Sequence, residues 1–184
     1  HTLAVKATNR FEATRDKIQK YLNAKHREEI IFTKGATEAI NLVASSYGKK
    51  YIKKGDEVLI TELEHHSNYV PWNYLRTDKG AVIKFAKVNE NGDVEIEEIK
   101  KLITNKTKII AITHISNVTG AILPITKIVD LAKEKNIPVL IDGTQGAPHS
   151  EIDMQKIGCD FYAISCHKMY GPNGLGVLYM KKKW

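Results

Sequence analysis

Two residues of this sequence, Lys168 and Asp142, could together carry out chemistry on a ring cofactor. Lys168 closely follows the apolar run FYAIS, and Asp142 ends the apolar run PVLID, 26 residues earlier. If both runs are strands of one parallel sheet, the amine and the carboxylate lie at the same edge. A lysine amine can bond to a cofactor aldehyde while a carboxylate keeps a pyridinium nitrogen protonated, which is the pairing that pyridoxal-phosphate sites require. Taken alone, Asp142 would be an ordinary solvated carboxylate at the end of a strand.

A second group of residues, Gly35-Ala36-Thr37, could bind a phosphate. It lies where a predicted strand passes into a predicted helix, and a helix N-terminus offers unpaired N–H groups and a partial positive charge to an anion. The simpler alternative is that Thr37 only caps its helix. The chain has no GxxxxGK[ST] phosphate loop, and the glycines of YGPNGLG precede a strand, so a tight turn explains them better than a dinucleotide-binding loop.

Polar clusters directly follow five of the predicted strands. If the sheet is parallel, all five clusters meet at one edge, which is where ligands bind in open α/β sheets. The clusters span residues 34–38, 62–68, 114–117, 142–145 and 165–168.

The positions of these clusters depend on a sheet, which the hydrophobic pattern predicts. Short β-branched runs predict seven strands, and segments with helical spacing lie between most of them. This alternation predicts an α/β domain with a mostly parallel seven-stranded sheet between helices. The predicted strands are Glu29–Thr33, Glu57–Thr61, Ala81–Phe85, Lys108–Thr113, Pro138–Asp142, Phe161–Ser165 and Gly176–Met180. The predicted helices are an opening helix of about twenty residues, Thr37–Tyr51, Asn68–Asp78, Ile96–Ile103 and Ile125–Lys135.

Composition indicates a globular domain and argues against several other classes of protein. With 42% hydrophobic and 27% charged residues over 184 positions, the chain is long enough for one domain with a substantial core. No apolar run is long enough for a membrane span, so we expect a protein of the cytoplasm or of an organelle interior. Its net charge of +7 comes from scattered lysines, which favours surface solubility over nucleic-acid binding. The abrupt ends suggest a piece of a longer polypeptide.

The stretch SCHKMYGP, from Ser165 to Pro172, resembles the S-x-H-K-x-Y-G-P lysine motif of SUF-type cysteine desulfurases, a group of class V aminotransferase-fold enzymes that includes selenocysteine lyases. The resemblance covers residues 1–184, so the expected fold is the large domain of the aspartate-aminotransferase-like, fold-type I architecture, without its N-terminal segment and C-terminal small domain. Further matches are GATEAINLV at 35–43, EHHSN and VPW within 64–72, SNVTG at 116–120 and DGTQG at 142–146.

The resemblance implies a role for each site residue. Lys168 would hold pyridoxal 5′-phosphate, Asp142 would face the ring nitrogen, and His65 would stack on the ring and move protons. Asn117 would lie near the cofactor face and the substrate carboxylate, and Gln145 would bond the ring hydroxyl oxygen. The phosphate would be held by Ala36, Thr37, Ser165 and His167.

The activity implied by the resemblance is removal of sulfur from L-cysteine to give L-alanine. The sulfur would pass as an enzyme persulfide to an acceptor protein for iron–sulfur cluster assembly, and the enzyme would be a homodimer without nucleic-acid or membrane partners. The alternatives are a selenocysteine lyase, a cysteine sulfinate desulfinase, or a cofactor-binding or dimer-forming module without turnover.

The departures from the family pattern concern the cysteines. The family's nucleophilic cysteine and substrate-binding arginine lie well downstream of the lysine motif, outside these residues. Cys159 and Cys166 flank a predicted strand, and we interpret both as reduced thiols, with Cys166 a small buried residue and not the nucleophile.

The histidines are interpreted without a metal. The adjacent His65 and His66 point to opposite sides of an extended chain, so we expect no metal site there. His114 and His149 are expected to be structural.

Overall fold

The structure, a computed structural model, describes residues 1–184 and contains one seven-stranded sheet. The strand order across the sheet is β1-β7-β6-β5-β4-β2-β3, which confirms the predicted number of strands in a single sheet. In chain order the strands are β1 (Ile30–Thr33), β2 (Glu57–Thr61), β3 (Val82–Ala86), β4 (Thr107–Thr113), β5 (Val139–Asp142), β6 (Phe161–Ser165) and β7 (Gly176–Met180).

Six of the strands run in the same direction, and β7 alone is reversed. The pairs β2–β3, β2–β4, β4–β5 and β5–β6 are parallel, whereas β7 is antiparallel to both β6 and β1. The mostly parallel sheet is therefore confirmed. Predicted and observed strands differ at their ends by one residue at most, and β2, β6 and β7 match at both ends.

The helices confirm the predicted segments and add short ones. The eight helices are α1 (Thr2–Tyr21), α2 (Ala36–Val43), α3 (Lys49–Tyr51), α4 (Val70–Lys79), α5 (Ile96–Leu102), α6 (Ile125–Glu134), α7 (Gly146–His149) and α8 (Met154–Ile157). The predicted helix at 37–51 is continuous but widens into a π-helical turn at Ala44–Gly48, where a Cβ on Gly48 would meet Leu75 at close range. The helices α7 and α8 were not predicted, because four residues are too few for a periodic pattern.

Hydrophobic residues on the two faces of the sheet form two separate clusters. Alternate residues of β4 divide between them: Ile110 and Ile112 pack on one side with α5, α6 and α8, while Ile109 and Ala111 pack on the other with α2 and α4. Both faces are covered by helices, which explains why the central strands are apolar throughout. No helix combines the length and the apolar character that crossing a membrane requires.

A close backbone contact between Gly35 and Gly176 joins the start of α2 to the start of β7. A Cβ on Gly176 would overlap the backbone of Gly35, so only glycine fits at this position. The adjacent Ala36 N–H donates a hydrogen bond to Ser165 Oγ over 2.9 Å. The N-terminus of α2 is thus fixed against the ends of β6 and β7.

Gly176→Ala is expected to destabilise the protein, because the added methyl group overlaps backbone that cannot move aside as a side chain could. We expect a loss of about 1–3 kcal/mol in the free energy of unfolding, measured by urea denaturation. Gly35→Ala is the matched control, since its Cβ would lie 3.6 Å from Ser165 Oγ, an ordinary contact distance. Equal stability losses in the two variants would contradict the steric explanation.

Candidate active site

All nine residues predicted for the site line one cavity of about 200 Å³ at the carboxyl ends of the parallel strands. The structure therefore brings together residues that lie far apart in the sequence, from Ala36 to Lys168. Their individual roles remain predictions. The thirteen lining residues are Ala36, Thr37, His65, Ser67, Thr113, Ile115, Asn117, Asp142, Thr144, Gln145, Ser165, His167 and Lys168.

Four lining residues were not predicted: Ser67, Thr113, Ile115 and Thr144. All lie in or next to the polar clusters that follow the strands. Thr113 ends β4 in the way that Asp142 ends β5, and this shared position was the signal that could have identified it. Small hydroxyl and aliphatic residues carry little chemistry of their own, so residue type alone gave no reason to select them.

Part of the cavity lining combines a helix N-terminus with hydroxyl groups. Ala36 and Thr37 begin α2, Ser165 ends β6, and His167 follows on the 3₁₀ turn Cys166–Met169. N–H groups at a helix N-terminus, hydroxyls and an imidazole are donors suited to an anion such as a phosphate.

The cavity lining also includes the carboxylate of Asp142, which is 4% exposed. One of its oxygens, Oδ1, accepts a hydrogen bond from the Thr144 N–H over 3.0 Å. In the parallel register Asp142 is the partner of Thr113 on β4 and of Ala163 on β6. Because paired strands flank it on both sides, the backbone of Asp142 has little freedom to move.

Two aromatic rings pack against glycines of the loop that follows Asp142. A Cβ on Gly143 would overlap the Tyr162 ring, and a Cβ on Gly146 would overlap the His114 ring. The two rings are joined by a 2.9 Å hydrogen bond between His114 Nδ1 and the Tyr162 hydroxyl. His114 therefore supports the loop from behind and does not line the cavity, in agreement with the structural role predicted for it.

Burial shifts the pKa values of His114 and Tyr162. Desolvation lowers the pKa of His114 from its usual 6.5 to about 4. The same cause raises the pKa of Tyr162 well above 10. Both groups are consequently neutral at physiological pH.

His65 and His66 line different cavities, as the prediction of opposite orientations requires. His65 faces the main cavity, and its Nδ1 lies 2.7 Å from Ser67 Oγ and accepts from the Ser67 N–H at 3.2 Å. His66 lines a second cavity with Glu64, Tyr69 and Phe85. No three histidine, cysteine or acidic side chains lie close enough together to hold a metal ion.

Lys168 lies in the connection between β6 and β7, which backbone hydrogen bonds hold at its base. Cys166 N–H donates to the Leu175 carbonyl, and Gly171 N–H donates to the Cys166 carbonyl, each over 2.9 Å. Between them Tyr170 has a left-handed backbone with φ of 60°, which is uncommon for an aromatic residue. The lysine is thus presented on a short, tightly turned segment and not on a long loop.

The two cysteines are free thiols on either side of β6, as predicted. Cys159 is fully buried, and desolvation raises its pKa to about 12. The prediction of a buried Cys166 was wrong: it begins the 3₁₀ turn after β6 and is partly exposed, because the chain leaves the sheet there. Burial nevertheless raises the pKa of Cys166, and the residue does not line the main cavity.

The residues of the cavity fit pyridoxal phosphate. A primary amine, a buried carboxylate, and an anion-binding helix N-terminus with nearby hydroxyls match the aldehyde, the ring nitrogen and the phosphate of this molecule. The residues that would hold it are those predicted from the sequence.

Comparison with known proteins agrees with this interpretation. The family model for aminotransferase class-V matches residues 1–184. The chain is 49% identical over 182 residues to a probable cysteine desulfurase of Halalkalibacterium halodurans, covering 99% of this chain and 45% of that protein. It is 50% identical over 184 residues to a cysteine desulfurase of Wigglesworthia glossinidia brevipalpis, covering 100% of this chain and 45% of that protein.

A solved structure is similar over the same region. The cysteine desulfurase CsdA from Escherichia coli superimposes with a TM-score of 0.93 at 38% identity, covering 98% of this chain and 45% of that one. The chain thus spans about half the length of the proteins that it matches.

Replacement of His114 is expected to reduce the acid sensitivity of the fold. Between pH 6.5 and 4 the unfolded chain binds a proton at His114 that the folded chain does not, so the contribution of His114 to the free energy of unfolding falls as the pH drops through this window. We expect that fall to be smaller in His114→Asn by on the order of 2 kcal/mol, measured by urea denaturation at pH 7 and pH 4.5. His149→Asn, which replaces an exposed histidine, serves as the control. If the free energy of unfolding depended on pH in the same way in the two variants, the lowered pKa assigned to His114 would be disproved.

Proposed function

The chain belongs to the aminotransferase class-V family, and from this premise we propose that it is the cofactor-binding large domain of a pyridoxal-phosphate-dependent cysteine desulfurase. The observation that carries the proposal is the presence of Lys168, Asp142 and the N-terminus of α2 around one cavity. The relatives named cysteine desulfurase, which match the whole of this chain, support the choice of reaction.

The cofactor, when bound, supplies an electron sink that stabilises negative charge developing on the substrate's α carbon. Lys168 would provide the amine that holds the cofactor through its aldehyde. Asp142 keeps the proton on the ring nitrogen, and its burial excludes the water that would weaken this interaction. His65 would cover the ring and move protons, while Ala36, Thr37, Ser165 and His167 would bind the phosphate. Asn117 would lie near the cofactor face and the substrate carboxylate, and Gln145 would bond the ring hydroxyl oxygen.

The whole protein is proposed to convert L-cysteine to L-alanine and to retain the sulfur as a persulfide on a cysteine thiolate. Neither cysteine of these 184 residues suits that role, since Cys159 is buried and Cys166 lies outside the main cavity. A nucleophilic thiolate must also reach the substrate sulfur from the open side of the site, which a mobile loop allows. We therefore assign the attacking cysteine to a segment outside these residues. We further propose that the persulfide sulfur passes to an acceptor protein for iron–sulfur cluster assembly.

A homodimer of the cytoplasm or of an organelle interior forms part of the same proposal. Apolar side chains are strongly exposed on segments that carry site residues: Val118 follows Asn117 and is 84% exposed, and Tyr170 closely follows Lys168 and is 98% exposed. Exposed apolar groups beside a cavity are typical of a surface that another protein unit covers.

Lys168 is expected to be the residue that bonds to the cofactor. The purified protein, supplied with pyridoxal phosphate, should be yellow, and borohydride reduction followed by peptide mass spectrometry should find the label on Lys168. Lys168→Ala should lose the covalent label, whereas Lys181→Ala, which changes a lysine beyond β7, should retain it. A label on another lysine of the wild-type protein would overturn the assignment.

Replacement of either cysteine is expected to leave sulfur release nearly intact. Cys159→Ala and Cys166→Ala should each retain turnover of L-cysteine in the full-length protein within about three-fold of the wild type, because neither thiolate is readily formed or faces the cavity. Alanine and sulfide are the products to measure, with L-selenocysteine and cysteine sulfinate as competing substrates. Loss of activity in Cys166→Ala with cofactor binding unchanged would reinstate Cys166 as the nucleophile, and preference for a competing substrate would replace the proposed reaction.

A further inference from the structure

Glu64 is a carboxylate beside the cavity that the proposed chemistry does not use. It immediately precedes His65 but does not line the main cavity, and its own side chain is partly buried. Its position suggests a role that acts through its neighbours.

Three hydrogen bonds tie the Glu64 carboxylate to three different elements. Its Oε1 accepts from the Thr61 hydroxyl at 2.6 Å and from the Thr113 N–H at 2.9 Å, and its Oε2 accepts from Asn68 Nδ2 at 2.6 Å. Thr61 ends β2, Thr113 ends β4, and Asn68 ends the 3₁₀ turn that follows His65. A single side chain therefore joins two strands and the segment between Glu64 and Asn68.

The bond to Thr113 replaces a missing strand partner. The registered pairing of β2 with β4 ends at Leu59 and Ile110, well before Thr113. The next N–H along β4, that of His114, donates to the Asp142 carbonyl on the β5 side, so the Thr113 N–H points toward β2. The Glu64 carboxylate closes the gap where the two strands have diverged.

The bond to Asn68 closes a short loop around His65. Inside this loop the Asn68 N–H donates to the His65 carbonyl at 2.8 Å, and the Ser67 N–H donates to His65 Nδ1. The position of His65 relative to Thr113, and hence to its register partner Asp142, therefore depends on Glu64.

Two of the three partners of Glu64 can only donate to it. Asn68 is fully buried, and its Oδ1 accepts from Trp72 Nε1 at 3.1 Å, which fixes the amide with its nitrogen toward Glu64. Thr61 Oγ1 accepts from the Leu63 N–H and has a second lone pair, so its hydroxyl can either donate to Glu64 or accept from it. Protonation of the carboxylate would turn this hydroxyl round and would weaken the charge-assisted bonds from the Asn68 amide and the Thr113 N–H.

We propose that Glu64 is a positioning residue whose ionised carboxylate holds His65 in place against the end of β4, and that its protonation loosens the cofactor site. This proposal rests on the proposed function for the identity of the cofactor, but the hydrogen-bond network is a property of the chain itself.

The electrostatic surroundings place this change near neutral pH. Burial raises the pKa of Glu64 from 4.5 to about 7, although its three hydrogen bonds lower it, and the like charge of Asp142 on β5 adds to the rise. The titratable groups that share a cavity with Glu64 are Glu62, His66 and Tyr69, and His65 follows it directly in the chain. Ionisation is unfavourable for folding, so this group's contribution to stability is lost as the pH rises through about 7, even though the ionised form is the one that orders the site.

A cofactor-free measurement tests the network directly. The chain has two tryptophans, and the indole N–H resonance of Trp72 reports its bond to Asn68. In a pH titration of the purified protein without cofactor, this resonance should show an inflection near pH 7. Glu64→Gln should abolish the inflection, because an amide does not titrate. Thr61→Val should move it to higher pH by removing a donor, and Thr61→Ser should leave it in place.

A cofactor-bound measurement tests the consequence for the site. Visible circular dichroism of bound pyridoxal phosphate should weaken as the pH falls through the same inflection in the wild type, and should be weak at every pH in Glu64→Gln. The matched control is Glu62→Gln, which changes the exposed carboxylate two residues away and should behave as the wild type. Thermal unfolding of each variant, followed by far-ultraviolet circular dichroism, verifies that it is folded.

The outcomes separate this proposal from the proposed function. An indole inflection that survives in Glu64→Gln, or a cofactor signal that ignores the substitution, would overturn the role of Glu64. Failure of the wild type to bind pyridoxal phosphate would instead overturn the proposed function.

Discussion

The parallel pairing of β4, β5 and β6 places Thr113, Asp142 and Ala163 side by side at the carboxyl edge of the sheet. Everything in the cavity is positioned relative to this row. The carboxylate of Asp142 has a rigid backbone beneath it because strands pair on both of its sides, and the segments that leave the three strands carry most of the other lining residues. Catalytic groups gain from such rigidity, since small displacements of reacting atoms are costly.

Two kinds of close packing transmit this rigidity from the sheet to the loops. Gly35 lies directly against Gly176, which fixes the start of α2, and Gly143 and Gly146 admit the rings of Tyr162 and His114 beneath the loop after Asp142. In each case the absence of a Cβ allows a contact that any larger residue would prevent. The glycines of the site are therefore as important for its shape as the polar residues are for its chemistry.

Much of the fold and the composition of the site could be predicted from the sequence. Strands such as β2 and β6 are short, apolar and bounded by polar residues, so both of their ends could be predicted correctly. The polar residues that follow the strands identified the cavity. The contacts between distant segments were not predictable. Nothing in the residue types indicates that β2 and β4 separate before Thr113, or that Glu64 fills the gap, since both depend on the register and twist of the assembled sheet.

The reversed strand β7 has a consequence for how the site forms during synthesis. It pairs at one side with β6, its neighbour in the chain, and at the other with β1, from the opposite end of the domain. Ala36 and Ser165, which meet at the start of α2, are 129 residues apart. Contacts of such high sequence separation form slowly, because the chain must close a long loop first. The lysine-bearing turn can form locally with its hairpin, whereas the part of the cavity lined by the start of α2 cannot be completed until β7 has left the ribosome.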